Sequence, residues 1–226
     1  MSNQKRHITY TELIEEWPPL QYDPIQAEEE NWDETWRFDP TNVDWKNSWV
    51  IYGSSAAYGS ELEQEHSLAN QLSNLLGEPV VNCACPGSGI QHHVLMQSLV
   101  RYHHGPPKGE IICWTMIYKW LGFEETNRNK TPWKSKVDFD SHVTHHPYKE
   151  IFPQIPQQAF LSRLAAKAIN PGLIEFTDSD ITQEYWKDLW LWDRDQSPDR
   201  ARDEKHCGPL GIKIAAQWCY EQIRSR

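Results

Sequence analysis

The sequence predicts an α/β fold with a central parallel sheet. Short apolar runs at residues 49–52 and 111–114 indicate buried strands. Between such runs lie stretches in which apolar residues recur at the helical spacing of three to four. Strands that alternate with helices in this way form parallel βαβ units, whose crossovers are right-handed.

The first half of the domain is predicted element by element from residue 48 to residue 116. The expected order is a strand at 49–52, a helix at 66–76, a strand at 79–84, a helix at 90–102 and a strand at 110–114. The first helix has one apolar face, formed by Leu68, Leu72, Leu75 and Leu76. Gly77 follows that face directly and is placed to end the helix.

The second half is predicted to contain one more core strand and three helices. A helix is expected at 157–169, a last core strand at 173–176, a short helix at 179–191 and a closing helix at 210–223. The apolar face of the first of these helices consists of Phe160, Leu161, Leu164, Ala165 and Ala168. Residues 118–156 have no sustained period, so we expect an irregular insertion that shapes a substrate pocket.

Residues 1–47 form an acidic, tryptophan-rich extension in front of the domain at 48–226. No stable period runs through the extension, and tryptophan buries a large area per residue. We therefore expect the extension to wrap the domain through its aromatic rings, with a partner-binding arm or an active-site cover as the alternative. Residues 11–17 predict a short helix that Thr11 can cap.

Composition narrows the class of protein to a soluble domain of enzyme size. A chain of 226 residues can bury a substantial core. Its net charge of −10 argues against a nucleic-acid partner, because phosphate binding depends on clustered Lys and Arg. No apolar run approaches the ~20 residues of a membrane span, and the first residues do not form a secretory signal.

The five cysteines bear on two questions, the cellular compartment of the protein and its capacity to bind a metal. Their odd number, in a chain without a visible signal, indicates reduced thiols and a cytoplasmic location. Cys83 and Cys85 lie on a predicted strand, so their side chains should point to opposite faces of the sheet. No Cys-x-x-Cys pair follows them, and we therefore predict no metal site. Oligomeric state is left open.

Two short motifs at opposite ends of the α/β pattern carry chemistry. Gly53-Ser54-Ser55 follows the first strand, and Gly59 comes four residues after Ser55. Asp203-x-x-His206 precedes the last helix. Together they supply a nucleophile, Ser55, a general base, His206, and a carboxylate, Asp203, that can orient the base.

The assignment of the base depends on spacing rather than on residue type. The chain has ten histidines, several in adjacent pairs, so a histidine alone indicates little. His206 is singled out by its distance in sequence from Asp203 and Gly211. An imidazole titrates near neutral pH, and it can accept the serine proton and return it to the leaving group. Asp199 and Glu204 are alternatives to Asp203 as the orienting carboxylate.

These motifs resemble those of the SGNH (GDSL-like) hydrolase superfamily, serine esterases built on a flavodoxin-like sheet. Block one of the family matches Gly53-Ser54-Ser55 and Gly59, with Ser54 in the place of the aspartate that supports the turn. Block two matches residues 82–89, and block five matches Asp203-x-x-His206 with Gly211. The resemblance covers residues 48–224 and implies a flavodoxin-like three-layer α/β/α fold.

The resemblance also implies an oxyanion hole. The backbone N–H groups of Ser55 and Gly87 would be two of its donors, with Gly89 as the alternative to Gly87. The family takes a third donor from an asparagine in block three. The stretch after the third strand contains no asparagine here, and Thr115 and Tyr118 are the candidates to replace it.

The predicted function is hydrolysis of small acyl esters, such as acetyl esters, by a Ser-His-Asp triad without a cofactor. The expected partner is a small-molecule or glycan ester, and neither nucleic acid nor a membrane is expected. One alternative is a catalytically weakened relative that binds carbohydrate or protein, since the block-three asparagine is absent and tryptophans are frequent. Another is acyl transfer to an acceptor other than water.

Overall fold

The computed structural model describes residues 42–86, 88–117, 155–192, 198–201 and 206–226. The helix predicted at residues 11–17 and most of the predicted insertion lie outside the described residues. So do four of the residues considered for the site, namely Gly87, Tyr118, Asp203 and Glu204.

The described residues form a five-stranded parallel sheet. Its strands are β1 (Trp49–Tyr52), β2 (Val80–Asn82), β3 (Gly109–Trp114), β4 (Ile174–Thr177) and β5 (Trp190–Leu191). The spatial order is β2-β1-β3-β4-β5, and every neighbouring pair is parallel. This is the strand order of flavodoxin-like folds, so the predicted fold class is confirmed.

Six α-helices accompany the sheet in the described part of the chain. They are α1 (Ser55–Tyr58), α2 (Leu68–Leu76), α3 (Ile90–His104), α4 (Ile155–Ile169), α5 (Asp180–Tyr185) and α6 (Pro209–Arg224). The start of α2 differs by two residues from the prediction, because Gln64–His66 form a 3₁₀ turn. The Ser67 hydroxyl then caps α2, and Gly77 ends it with a φ of 67°.

Different helices cover the two faces of the sheet. Apolar residues of α2 and α6 pack on the face that presents Ile51 and Ile111. Apolar residues of α3 and α4 pack on the opposite face, which presents Val50, Tyr52 and Ile112. Neighbouring residues of β1 and β3 thus alternate between the two layers, as the pleat requires. The predicted three-layer α/β/α arrangement is confirmed.

The prediction of one helix at residues 179–191 is wrong at its C-terminal end. The helix stops at Tyr185, and Trp190–Leu191 instead add a fifth strand beside β4, so residues 173–176 do not hold the last strand. The Trp190 ring stacks on Trp218 of α6, with centroids 4.7 Å apart, and contacts Phe176 at 5.9 Å. This aromatic packing against the sheet stabilises extended backbone where the spacing alone favours a helix.

The helix predicted at residues 157–169 is confirmed as α4, but its apolar face is exposed. Phe160, Leu161 and Leu164 are 50%, 62% and 46% exposed. The inward side of α4 carries Arg163, whose guanidinium bonds the Glu175 carboxylate of β4. The ion pair between Arg163 and Glu175 therefore helps to determine which face of α4 is turned to the sheet. The periodicity of the sequence defines only that the helix has an apolar and a polar face.

A 3₁₀ turn at Trp45–Asn47 leads into β1. The Trp45 ring is buried and stacks on His104 at the end of α3, with centroids 4.5 Å apart and planes 12° apart. Trp45 is the one tryptophan of residues 1–47 that the structure describes, and it packs on the α3 layer.

A buried carboxylate organises the amino edge of the sheet. The Glu110 side chain is fully buried on β3 and accepts hydrogen bonds from Arg101 (2.8 Å), Tyr52 (3.1 Å), Gln97 (3.2 Å) and Asn170 (2.7 Å). Burial of a charge is costly unless it is paired and hydrogen-bonded. Glu110 meets this requirement and connects β1, β3, α3 and the end of α4.

No described helix combines the length and the apolar character that a membrane crossing requires.

Candidate functional site

The loops that leave three adjacent strands lie along the carboxyl edge of the sheet. Because β2, β1 and β3 are parallel neighbours, the residues that follow them meet at this edge. Ser55 follows β1, Ser88 lies in the loop after β2, and Thr115 follows β3. Ligands of open α/β sheets bind at this edge, so we searched it for a site.

Ser55 is the first residue of α1, directly after β1, and it is half-buried. Gly59 ends α1 in the left-handed conformation, with a φ of 80°, and its N–H donates to the Ser55 carbonyl at 3.0 Å. The four-residue spacing between Ser55 and Gly59 is therefore the length of a one-turn helix with a glycine cap. A single turn has a small dipole, so the backbone N–H of Ser55 is the main group that α1 offers to an oxyanion.

The turn before Ser55 has no room for a side chain. A Cβ at Gly53 would lie 2.6 Å from the Ala57 Cβ and 3.2 Å from the Cys113 Cβ. Real Cβ atoms do not approach so closely. Gly53 thus allows α1 to pack tightly against β3, which fixes the position of Ser55 just beyond β1.

Ser54, which stands in place of the family's aspartate, is fully buried. Its hydroxyl oxygen has no hydrogen-bond partner among the described residues. The turn is supported instead by Asn82 at the end of β2. The Asn82 amide donates to the Tyr58 carbonyl at 3.2 Å, and its oxygen accepts the Ala84 N–H at 3.2 Å. Asn82 therefore uses both ends of its side-chain amide to hold the turn.

The loop after β2 is hydrogen-bonded to the turn that leads into Ser55. The Gly53 carbonyl accepts the Cys85 N–H at 3.0 Å and the Ser88 hydroxyl at 3.0 Å. Gly87, the predicted second oxyanion donor, lies between these two contacts but outside the described residues. Its alternative, Gly89, is the N-cap of α3 in extended backbone. No local pattern indicates the role of Ser88, because its contact with Gly53 spans 35 residues.

The loop after β3 is held by a residue that the sequence analysis missed. The Thr182 hydroxyl of α5 donates to the Thr115 carbonyl at 2.9 Å and accepts the Ile117 N–H at 3.0 Å. Thr115 itself is 2% exposed. Of the two candidates for the third oxyanion donor, Thr115 is thus at the carboxyl edge, and Tyr118 lies outside the described residues.

His206 lies three residues before α6 and is half-buried. Its carbonyl accepts the Ala201 N–H at 3.0 Å, and the next residue, Cys207, pairs with Arg200 in an antiparallel bridge. Cys207 is buried in the same apolar cluster as Ala57, two residues after Ser55. The structure therefore brings the segments of His206 and Ser55 to the same side of the sheet.

Asp199, one alternative for the orienting carboxylate, caps α6. Its two carboxylate oxygens accept the N–H groups of Leu210 (2.8 Å) and Gly211 (3.1 Å). A Cβ at Gly208 would lie 2.5 Å from the Asp199 Cγ, so the carboxylate fills the space beside this glycine. Asp199 thus stabilises the helix that follows His206. The other two carboxylates considered, Asp203 and Glu204, lie outside the described residues.

Burial determines the protonation of several groups near the site. Desolvation lowers the pKa of His92 to about 4, so this imidazole is neutral at pH 7. Burial raises the pKa of the Cys113 thiol well above its usual value, and it also raises that of Cys219. Thiols in this state are poor nucleophiles, because the thiolate is the reactive form.

The chain has no match among protein-family models or among curated proteins. Among solved structures, the crystal structure of TesA aligns with a TM-score of 0.43 and 12% sequence identity, over 79% of this chain and 96% of that chain. The fold class rests on the strand order, and the resemblance to the SGNH superfamily stays a prediction.

Proposed function

We propose that the chain is a serine hydrolase that cleaves small acyl esters, with a small-molecule or glycan alcohol as the leaving group. The observation that supports this most directly is α1. Ser55 begins the helix immediately after β1 and Gly59 ends it, which leaves a half-buried hydroxyl and a first-turn N–H at the carboxyl edge of the sheet. His206 would act as the general base and Asp203 as the carboxylate that orients it.

The proposed reaction has two steps. Ser55 Oγ attacks the acyl carbonyl while His206 takes the hydroxyl proton, and the resulting tetrahedral oxyanion is held by the N–H groups of Ser55 and Gly87. The intermediate collapses, the C–O bond to the alcohol breaks, and His206 returns the proton to that alcohol. Water then attacks the acyl-serine in the same manner, and this step releases the acid and restores the Ser55 hydroxyl.

The rate should reflect the missing block-three asparagine. Loss of one oxyanion donor typically costs about 2.7–4 kcal/mol of transition-state stabilisation. We therefore expect slow hydrolysis of activated esters such as p-nitrophenyl acetate, unless Thr115 or Tyr118 supplies a third donor. Substitution of Thr115 by Val, which keeps its shape, measures the contribution of its hydroxyl.

A fluorophosphonate probe followed by mass mapping tests the proposal. We expect a covalent adduct on Ser55, because this residue is half-buried, whereas Ser54 is fully buried. Ser55→Ala should abolish the adduct, and Ser54→Ala should preserve it. His206→Ala should slow labelling strongly in a chain that remains folded. An adduct on Ser54, or none on the folded chain, would exclude this site.

A non-catalytic binding module is the second candidate. The absence of an asparagine from residues 114–118, where the family has its block-three donor, favours it, because a site without that donor is weakened. The same probe separates the two candidates. A folded chain that binds glycans or proteins but neither labels at Ser55 nor hydrolyses esters supports the binding module.

A further inference from the structure

Three buried polar groups form a chain beneath the nucleophile turn. The Ser88 hydroxyl donates to the Gly53 carbonyl at 3.0 Å, and Ser88 Oγ lies 3.2 Å from His93 Nε2. Ser88 and His93 are both fully buried. The triad mechanism uses neither of them.

The number of hydrogens available sets the direction of this chain. A serine hydroxyl has one hydrogen, and that of Ser88 is directed to the Gly53 carbonyl. The contact between Ser88 Oγ and His93 Nε2 therefore needs a hydrogen from the imidazole. The neutral tautomer that satisfies both bonds has its proton on Nε2 of His93.

The chain connects the two loops that carry the proposed oxyanion donors. Gly53 precedes Ser54 and Ser55, so the orientation of its carbonyl fixes the peptide that leads into the nucleophile. The two donors to this carbonyl, Cys85 and Ser88, lie on either side of Gly87 in sequence. Both ends of the loop that contains Gly87 are thus attached to the turn that contains Ser55.

We propose that Ser88 is a positioning residue, whose hydroxyl, oriented by His93 Nε2–H, holds the Gly53 carbonyl and so fixes the peptide that places the backbone N–H and hydroxyl of Ser55. The inference rests on the proposed function. Its effect belongs to the transition state, because the oxyanion forms only there, and substrate binding before reaction is largely independent of it.

The kinetic test uses variants of the full chain and p-nitrophenyl acetate. Ser88→Ala should lower kcat by about 10–100-fold and change KM by less than about two-fold, since misaligned oxyanion donors affect the transition state alone. His93→Leu should have the same effect. His93→Gln, which can place an amide N–H near the Nε2 position, should retain most of the wild-type kcat. Ser98→Ala is the matched control, because it removes a hydroxyl of α3 that bonds only the Val94 carbonyl of its own helix.

Three results would contradict the proposal. A Ser88→Ala enzyme with unchanged kcat overturns the proposal, and so does a His93→Gln enzyme as slow as His93→Leu. A rise in KM at constant kcat would place the Ser88 effect in substrate binding, which also contradicts it.

Nuclear magnetic resonance tests the hydrogen-bond chain without reference to activity. The ¹⁵N shifts of the His93 ring in the wild-type chain should show a protonated Nε2, and a protonated Nδ1 alone overturns the inference. Amide exchange at Cys85 should accelerate in Ser88→Ala and stay unchanged in Ser98→Ala. If the wild-type chain neither labels at Ser55 nor hydrolyses esters, the proposed function fails and the catalytic effect of Ser88 fails with it. The ring shifts and the amide exchange still show whether the hydrogen bonds among His93, Ser88 and Gly53 exist.

Discussion

The two edges of the sheet differ in the chemistry that holds them together. At the amino edge, Glu110 is a fully buried charge with an ion pair to Arg101 and further hydrogen bonds. At the carboxyl edge, the loops after β1 and β2 are joined by hydrogen bonds between neutral groups, such as the bond from the Ser88 hydroxyl to the Gly53 carbonyl. Removing the partner of a buried charge lowers the free energy of unfolding strongly, whereas removing the partner of a neutral hydroxyl lowers it less. Stability is therefore concentrated at one edge and the proposed chemistry at the other.

The largest effect expected at the carboxyl edge is on activity. Ser55→Ala should lower ester hydrolysis at least about 1000-fold, because the proposed nucleophile is removed. The free energy of unfolding should change by less than about 0.5 kcal/mol, since Ser55 is only half-buried and the substitution removes a single oxygen atom. Hydrolysis of p-nitrophenyl acetate and urea unfolding measure the two quantities on the same sample. Activity near the wild-type level in this variant would move the site away from α1.

The amino edge should respond in the opposite way. Arg101→Ala leaves the Glu110 charge buried without its ion pair, and the free energy of unfolding should fall by about 3–5 kcal/mol. The kcat of the folded fraction should stay within about two-fold. Lys108→Ala is the matched control, because it breaks an exposed ion pair with Glu78 and should cost less than about 1 kcal/mol. Equal losses in the two variants would contradict the special role of the buried carboxylate. Urea unfolding provides the comparison.

Acid should weaken the α3 side of the carboxyl edge through His92. Burial lowers the pKa of His92 to about 4 in the folded chain, from an ordinary value of 6.5. Between these values the unfolded chain binds a proton that the folded chain does not, so stability falls as the pH drops from about 6.5 to about 4. The loss should reach about 3 kcal/mol at most. His92→Gln should reduce this slope in urea unfolding at several pH values, and an unchanged slope would assign it to other groups.

The smallest effect is expected at the cap of α6. Asp199→Ala removes the acceptor for the Leu210 and Gly211 N–H groups, which should lower the free energy of unfolding by about 1 kcal/mol. Asp199→Asn keeps an oxygen acceptor and should lose less. The kcat of Asp199→Ala should also fall, because the capped turn places His206. A fall in the free energy of unfolding without any fall in kcat would show that the Asp199 cap does not position His206.

Elements with a strong local pattern were predicted well from the sequence. The apolar run of β1 and the leucine spacing of α2, with Gly77 behind it, were sufficient, and Gly77 has the positive φ that a C-cap requires. The prediction was wrong for β5, whose two residues are extended because they pair with β4 and because Trp190 stacks on Trp218. Neither partner is near in sequence, so no local pattern could indicate the strand.

The candidate site divides in the same way. Ser55 and Gly59 could be found because their spacing is local, and the structure explains this spacing as the length of α1. Ser88 and Thr182 could not, because their contacts span 35 and 67 residues. His93 was visible as one of a pair of adjacent histidines, but its role depends on the fold, through its contact with Ser88.

The buried thiols have a consequence for the kinetics of local opening. Cys113, Cys207 and Cys219 lie in the apolar cluster between the sheet and α6, and each is at most 2% exposed. An alkylating reagent can reach them only after the C-terminal helix has moved off the sheet. Their modification rate in native conditions therefore reports how often α6 detaches, and with it the segment that contains His206. The chain thus contains its own reporters of this opening, at three positions that need no substitution.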